Sequence, residues 1–240
     1  MKPWPALWLC AALGAQAQQL SGREFMSPAT QALQNDDTQN PAFLWVKDGQ
    51  QRFDAACANC HTLDSLRGVA PRYPAWDVLL GKPVTLSARI NLCQVRHVKA
   101  PPFAPESDAL LGLEAFVAHQ SRGMPVQPQA DARLAPARQQ GQHLYRQRFG
   151  QLDLSCAMCH ELLAGRRLGG STVPQAHPTG YPLYRLEWQA VGSLQRRVRH
   201  CMSGVRAEPY AFASDELTAL ELYLMQRAAG MPLETPAVRP

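Results

Sequence analysis

The sequence predicts an all-α protein made of two tandem domains related by internal duplication. Three observations lead to this prediction. The motif C-x-x-C-H occurs twice, long segments of the first half recur in the second, and apolar residues fall at helical spacing in each half. The chain of 240 residues is long enough for two domains of about 100 residues each. Each half therefore repeats one set of helices around one copy of the motif.

The N-terminal residues 1–17 have the pattern of a secretory signal peptide. Lys2 precedes a short apolar run, and Ala15 and Ala17 provide the small residues of a cleavage site. The apolar run is about half the roughly 20 residues that a membrane-spanning helix needs. We therefore expect a mature chain that starts at Gln18, has no membrane span and is exported to the periplasm.

Six cysteines remain in the mature chain, and their spacing argues against three disulfides. Two pairs lie in CANCH and CAMCH, where a histidine follows each pair directly. C-x-x-C-H is the attachment signal for c-type haem, in which the cysteines form thioethers and the histidine binds the iron. One such motif could instead be a redox C-x-x-C or half of a zinc site, but two copies in a secreted chain favour two covalently bound haem c groups. The attachment residues are Cys57, Cys60, Cys156 and Cys159, and the proximal iron ligands are His61 and His160.

The duplication extends beyond the haem motifs. YPAWDVLLGKPVTLSARINLC, residues 73–93, recurs 108 residues later as YPLYRLEWQAVGSLQRRVRHC, residues 181–201. ESDALLGLEAFVAHQSRGMP recurs at an offset of 107. The haem motifs are 99 residues apart, so the second half carries nine extra residues between its haem motif and its tyrosine-proline pair. This insertion lies within residues 161–180.

The predicted boundary between the domains is residues 125–136, a polar and proline-containing linker. It separates a first domain at 18–124 from a second domain at 137–240. Helices are expected before the haem motifs, at 46–56 and 138–148. Helices after the motifs have the N-cap candidates Ser107 and Ser214 and the expected C′ residues Gly123 and Gly230. A helix, C-x-x-C-H, loops around a porphyrin and a C-terminal helix together make a class I cytochrome c domain.

Cys93 and Cys201 stand alone at corresponding places in the two halves. Three roles compete for them: a disulfide between the domains, inert buried thiols, or distal ligands to the haem iron. An arginine lies four residues before each cysteine, at Arg89 and Arg197, and therefore one helical turn away. Cationic neighbours and a metal both favour the thiolate, so the pattern favours ligation.

Met124 and Met231 are the rival distal ligands. They lie in matching GMP triplets and could bind iron as in ordinary electron-transfer domains. That arrangement would leave both single cysteines free. We favour cysteine ligation because it also accounts for the arginine beside each cysteine.

Arginines are concentrated around Cys201. Residues 18–134 carry 11 basic and 11 acidic side chains, whereas 135–240 carry 12 arginines and 8 acidic residues. Aromatic and basic residues do not alternate, so we expect no nucleic-acid partner. A planar guanidinium suits sulfonate or phosphate oxygens, which points to anion binding by Arg197, with Arg206 as the weaker candidate. The arginines near this cysteine are Arg196, Arg197, Arg199 and Arg206.

Together these features resemble the SoxA family, the dihaem subunits of the SoxAX cytochromes of bacterial sulfur oxidation. The resemblance covers essentially the whole mature chain. It rests on the two haem motifs, on ARINLC and RRVRHCMSGVRAEP, and on ESDALLGLEAFVA with the closing GMP. It implies His and Cys axial ligands at both haems, so that Cys93 and Cys201 bind iron. It further implies that Cys201 is the catalytic cysteine, found as a persulfide, and that Arg197 lines the catalytic site.

The same resemblance implies a reaction and its partners. Thiosulfate would be joined oxidatively to a cysteine of the carrier protein SoxYZ, which is an L-cysteine S-thiosulfotransferase activity of the second domain. The electrons would pass to a SoxX-type monohaem cytochrome c that forms a heterodimer with this chain. Two other functions stay open: a dihaem thiosulfate dehydrogenase that forms tetrathionate, and a plain electron carrier with methionine ligands.

The insertion at 161–180 is found only in the half that carries Cys201. Loops accept insertions easily, so it could be a tolerated surface feature. Alternatively, it shapes the rim of the second haem site or docks the small cytochrome subunit, with Arg166 and Arg167 supplying charge.

Overall fold

The computed structural model describes residues 18–240, so the signal-peptide prediction lies outside the described residues. Helices dominate this part of the chain, and short β-hairpins connect them. Within 18–240 the eight α-helices are α1 (Pro28–Asn35), α2 (Phe43–Ala56), α3 (Leu63–Leu66), α4 (Leu86–Cys93), α5 (Asp108–His119), α6 (Ala135–Arg146), α7 (Leu194–Gly204) and α8 (Asp215–Arg227). The strands in the same range are β1 (Ala75–Asp77), β2 (Lys82–Val84), β3 (Arg167–Leu168), β4 (Ser171–Thr172), β5 (Leu183–Arg185), β6 (Ala190–Gly192) and β7 (Ala237–Arg239).

The internal duplication is visible in the order of these elements. In each half a long helix precedes the haem motif, an antiparallel hairpin follows it, and two further helices complete the unit. The hairpins β1–β2 and β5–β6 both begin after a cis tyrosine-proline bond, at Tyr73 and Tyr181. The prediction of a mainly helical fold is confirmed. The short β-hairpins were not predicted, because strands of two or three residues leave no pattern in the sequence.

In each half, the helix that precedes the haem motif crosses the last helix at close range. In the first half, a Cβ on Gly49 of α2 would lie 1.9 Å from the carbonyl oxygen of Gly112 on α5. In the second half, a Cβ on Gly141 of α6 would lie 2.0 Å from the carbonyl oxygen of Ala219 on α8. Only glycine allows the two backbones to approach this closely.

The helix ends agree only in part with the sequence prediction. Ser107 and Ser214 are the N-caps of α5 and α8, and their side chains accept hydrogen bonds from the amides of Leu110 and Leu217. The prediction that Gly123 and Gly230 are the C′ residues is wrong. The helices end at His119 and Arg227, and the glycines, with φ of +80° and +85°, finish the turns that follow.

The two halves join where their GMP triplets meet. Pro125 and Pro232 pair in an antiparallel bridge. The Val126 amide donates to the Met231 carbonyl at 2.8 Å, and the Leu233 amide donates to the Met124 carbonyl at 2.9 Å. Part of the predicted linker therefore packs in the interior, since Val126 and Leu134 are buried.

The chain from Gln18 to Ala42 packs against the second half. The Asn40 side-chain amide donates to the Pro236 carbonyl at 2.9 Å, and the Val238 amide donates to the Gln34 side chain at 3.2 Å. β7 extends the second hairpin by pairing in parallel with β5. No helix among residues 18–240 combines the length and the apolar character needed to cross a membrane.

Candidate functional site

The residues of the second haem motif are partly buried, and the histidine is held by a backbone carbonyl. Cys156, Cys159 and His160 are all half-buried. His160 Nδ1 lies 2.7 Å from the carbonyl oxygen of Pro174. A carbonyl can only accept, so Nδ1 carries the proton and donates, which leaves Nε2 with a free lone pair. Burial lowers the pKa of His160, which favours the neutral imidazole that a metal ligand must be.

Cys201 lies on α7, beside the thiol of Cys156. Burial raises the pKa of Cys156 to about 11, and Cys201 contributes to this rise. A thioether carries no ionisable proton, so a buried position of this kind suits the haem-attached form of Cys156. The fold therefore brings together an attachment cysteine, the histidine with its free Nε2, and the single cysteine that the sequence singled out.

The first haem motif is more exposed. Cys57 is half-buried, whereas Cys60 and His61 are exposed. Burial raises the pKa of Cys57, and Cys93 is the next cause, so the single cysteine again lies beside the first cysteine of the motif. Among residues 18–240 no side-chain hydrogen bond holds the ring of His61.

The structure favours neither a disulfide between the two single cysteines nor methionine as the distal iron ligand. All six cysteines of residues 18–240 are free, and Cys93 and Cys201 each lie in their own half, so the geometry does not favour a disulfide between them. Met231 is buried in the core cluster that contains Val126, while the thiol of Cys156 belongs to a different cluster. The backbones of Met231 and Met124 pair across the seam between the halves. This arrangement supports cysteine as the distal ligand.

The arginine before Cys93 is neutralised by an ion pair. Arg89 Nη2 lies 2.8 Å from Asp77 Oδ2, and Arg96 lies 3.2 Å from the same oxygen. Asp77 is buried with a relative exposure of 2%. Burial alone would raise its pKa, but the Leu80 amide and the two arginines outweigh burial, so its pKa is lowered and the carboxylate stays charged. The cation beside the first site is therefore not available to a ligand.

The arginine before Cys201 has no such partner. Within residues 18–240 the Arg197 side chain makes no hydrogen bond or ion pair. The strand position that Asp77 occupies in the first half is occupied by Arg185 in the second, since each is the last residue of the first hairpin strand. Burial raises the pKa of Tyr181, Arg197 and Arg185 oppose this rise, and Cys201 adds to it. Tyr181 thus lies within electrostatic range of both arginines and the cysteine.

Two of the remaining arginines near Cys201 have other contacts. Arg196 stacks on Trp188, with 4.2 Å from Cζ to the ring centroid. Arg199 stacks on Phe212 at 4.5 Å and donates to the Tyr210 carbonyl. Arg206 is exposed, which weakens its candidacy as an anion ligand. Within the described chain, Arg197 is therefore the one arginine of these four whose side chain is both half-buried and without a polar or aromatic partner.

Three residues of this site were missed by the sequence analysis. Pro174 and Tyr181 contribute a carbonyl and a buried ring, and neither role has a sequence pattern of its own. Arg185 had a usable signal: in the two aligned repeats it stands opposite Asp77, an exchange of an acidic for a basic residue at an offset of 108. Comparing charges between the repeats would have revealed it.

Comparison with known proteins gives consistent results. The family model described as "SoxA/TsdA, cytochrome c domain" matches residues 43–126 and 140–233. The SoxA subunit of L-cysteine S-thiosulfotransferase from Pseudaminobacter salicylatoxidans is 35% identical over 231 residues, which cover 92% of this chain and 80% of that protein. The corresponding Rhodovulum sulfidophilum subunit is 34% identical and covers 91% of this chain and 79% of that protein. A chain of the crystal structure of SoxXA from P. pantotrophus aligns with a TM-score of 0.89 at 33% identity, covering 92% of this chain and 87% of that chain.

Proposed function

Since the chain belongs to the SoxA/TsdA cytochrome c family, we propose that it is the SoxA subunit of an L-cysteine S-thiosulfotransferase. It joins thiosulfate to a cysteine of the carrier protein SoxYZ in the periplasm, as a heterodimer with a SoxX-type monohaem cytochrome c. The observation that carries this proposal is the surroundings of Cys201, which lies beside a haem motif and near Arg197 and Arg185, with no buried carboxylate paired to either arginine within residues 18–240.

The residues present fit two covalent haem c groups. Cys156 and Cys159 would attach the second group, and the free Nε2 of His160 and the sulfur of Cys201 would bind its iron. The same roles in the first half fall to Cys57, Cys60, His61 and Cys93. Haem, when bound, accepts electrons one at a time and so offers the outlet for the electrons that the reaction releases.

The reaction can be written on the residues of this chain. Arg197 holds the sulfonate oxygens of thiosulfate. The Cys201 thiolate forms a bond to the sulfane sulfur while two electrons leave, which gives a cysteine-bound S–S–SO₃⁻ group. The carrier thiolate then attacks the sulfane sulfur, the bond to Cys201 breaks, and Cys201 is released as a thiolate. The balance is S₂O₃²⁻ + RS⁻ → RS–S–SO₃⁻ + 2 e⁻.

The surroundings of Cys201 are compatible with a protein substrate. Cys201 is half-buried rather than enclosed, so a carrier thiol can approach it from solvent. The insertion forms the β3–β4 hairpin close to the second haem motif. Its exposed Arg166, Arg167 and Leu168 offer a docking surface for the small cytochrome.

The test is a conjugation assay with the purified heterodimer, thiosulfate, SoxYZ and an oxidised cytochrome as electron acceptor. The proposal expects the carrier mass to increase by one thiosulfate group, together with reduction of the acceptor. Mass spectrometry of the heterodimer alone should find a fraction with one added sulfur atom on Cys201, because hydrolysis of the intermediate breaks its S–SO₃⁻ bond and releases sulfate (CysS–S–SO₃⁻ + H₂O → CysS–S⁻ + HSO₄⁻ + H⁺). Acceptor reduction without any modified carrier would contradict the proposal.

A thiosulfate dehydrogenase is the second candidate, because the matching family model covers both SoxA and TsdA. Such an enzyme couples two thiosulfate ions into tetrathionate and needs no protein acceptor. Tetrathionate formed in the absence of SoxYZ, at a rate comparable to carrier conjugation, would favour this candidate. A plain electron carrier would show neither product.

A further inference from the structure

The end of the first hairpin strand has opposite charge in the two halves. In the first half it is Asp77, whose buried carboxylate binds Arg89 and Arg96. In the second half it is Arg185, and the counterpart of Arg89 is Arg197. An ion pair in one half therefore corresponds to two neighbouring guanidiniums in the other.

The second arrangement is electrostatically incomplete. The side chain of Arg185 is 11% exposed, and its pKa is lowered by burial and by the charge of Arg197. Its carboxylate partner Glu187, at 2.8 Å, has a side chain that is 48% exposed and also faces His200 at 3.8 Å. Surface carboxylates of this kind compensate a buried cation weakly, because solvent screens them.

Unused hydrogen-bond donors add to the charge. Arg185 Nε is buried and has no hydrogen-bond partner within the described chain. The guanidinium of Arg197 likewise has none there. The Arg185 guanidinium lies over the ring of Trp188, at 5.2 Å from Cζ to the centroid, which restricts its orientation. Buried donors without partners are expensive unless a ligand completes them.

We propose that Arg185 and Arg197 together bind the sulfonate oxygens of thiosulfate, with the sulfane sulfur directed at Cys201. This inference rests on the proposed function and assigns Arg185 as a second anion-binding residue. A doubly charged anion with three oxygens neutralises both guanidiniums and accepts from the free donors of each. The carboxylate of Asp77 excludes such an anion from the first half, so the repeats differ in substrate binding through this one position.

The experiment measures steady-state conjugation by the full heterodimer with SoxYZ, with thiosulfate varied. Arg185→Ala should raise KM for thiosulfate by about 10- to 100-fold, the usual effect of losing a charged hydrogen-bond donor. Arg185→Lys retains the charge and should give an intermediate KM. Arg185→Asp rebuilds the ion pair of the first half, with Arg197 as partner, and should raise KM beyond the alanine variant. Sulfate, an unreactive oxyanion, should inhibit the wild type competitively and the alanine variant much more weakly.

The matched control is Arg196→Ala, which removes a neighbouring arginine that also stacks on Trp188. If the effect of Arg185 does not come from local positive charge alone, Arg196→Ala should have a KM for thiosulfate within about twofold of the wild-type value. A KM for Arg185→Ala and Arg185→Lys equal to that of the wild type would overturn the role of Arg185 while the proposed function stands. Failure of the wild type to modify SoxYZ would instead overturn the proposed function.

Discussion

The two halves share their backbone plan but differ in the surroundings of their single cysteines. Around Cys93 the arginine is bound by a buried carboxylate, and the haem-motif histidine is exposed. Around Cys201 the arginine has no side-chain partner among residues 18–240, a second arginine replaces the carboxylate, and the histidine is held by a carbonyl from the insertion. The comparison teaches that duplicated haem scaffolds can separate roles through a few charged positions, without changing the fold.

The largest difference between the halves should appear when each single cysteine is replaced. Cys201→Ala should abolish conjugation, because it removes the sulfur that accepts the sulfane sulfur. Cys93→Met should change only the spectrum and potential of one haem, since no free cation lies beside it. Conjugation rates, haem content and redox titration of both variants measure this difference.

Two controls keep this test interpretable. Both variants must still carry as many covalent haems as the wild type, which denaturing haem staining verifies. A Cys201→Ala protein with wild-type activity would remove the mechanism altogether. A complete loss of activity in Cys93→Met would place the first haem in the working electron path and weaken the contrast between the halves.

The arginines should show the next largest difference. Arg197→Ala should abolish measurable turnover at ordinary thiosulfate concentrations, mainly by weakening substrate binding, with partial recovery at very high thiosulfate. Arg89→Ala removes the partner of a buried carboxylate, so it should lower thermal stability and leave KM for thiosulfate unchanged. Kinetics and thermal unfolding of the two variants, measured side by side, separate binding from stability. An equal rise in KM for both would contradict the assignment.

Much of this organisation was predictable from local sequence patterns. C-x-x-C-H, the serine N-caps and the 108-residue repeat are short-range signals, and the structure contains the corresponding elements. The hairpins were missed because strands of three residues are too short to show alternation. The ends of α5 and α8 were predicted two residues and one residue too late, because the sequence does not reveal where a helix gives way to the turn that follows it.

The charge environment of the site could not be predicted from local sequence patterns. It depends on tertiary contacts, although a closer comparison of the repeats would have revealed part of it. Pro174 reaches His160 from 14 residues away through a loop that has no periodicity. Arg185 comes near Arg197 through tertiary structure, in a region where Trp188 of the β5–β6 turn contacts Arg196 and His200 of α7. Composition indicated excess arginine in the second half, but whether each arginine is stacked, paired or free depends on its tertiary neighbours.

The insertion should have a smaller effect, limited to the second half. The double variant Arg166→Gln/Arg167→Gln should weaken association with the small cytochrome about threefold to tenfold at low salt, and less at high salt, if these arginines steer the encounter. Side-chain substitutions are used instead of a deletion because the Pro174 carbonyl in this loop holds His160. Lys47→Gln, an exposed change in the first half, is the control and should leave association unchanged. Identical affinities for all three proteins would show that the insertion does not dock the partner.

The smallest effect concerns the seam, where the halves are equivalent. Glu114 and its repeat counterpart Glu221 line one cavity between the halves. Burial raises the pKa of Glu114 to about 7 and that of Glu221 to about 8. Glu114 accepts from the Ser87 hydroxyl and also faces Glu106, and Glu221 accepts from Gln195 at 3.4 Å.

Both carboxyls hold their protons more tightly in the folded protein than in the unfolded chain. Their contribution to the free energy of unfolding is therefore fully present below the ordinary glutamate pKa of 4.5 and is lost as pH rises towards about 8. Replacing both with glutamine removes this loss. The double variant Glu114→Gln/Glu221→Gln should therefore unfold about 2–4 °C or more above the wild type at pH 8 and show little difference at pH 5. Thermal unfolding of the haem-loaded heterodimer across this pH range measures the difference. A variant whose unfolding temperature falls as steeply with pH as that of the wild type would show that these two buried carboxyls do not set the pH dependence of stability.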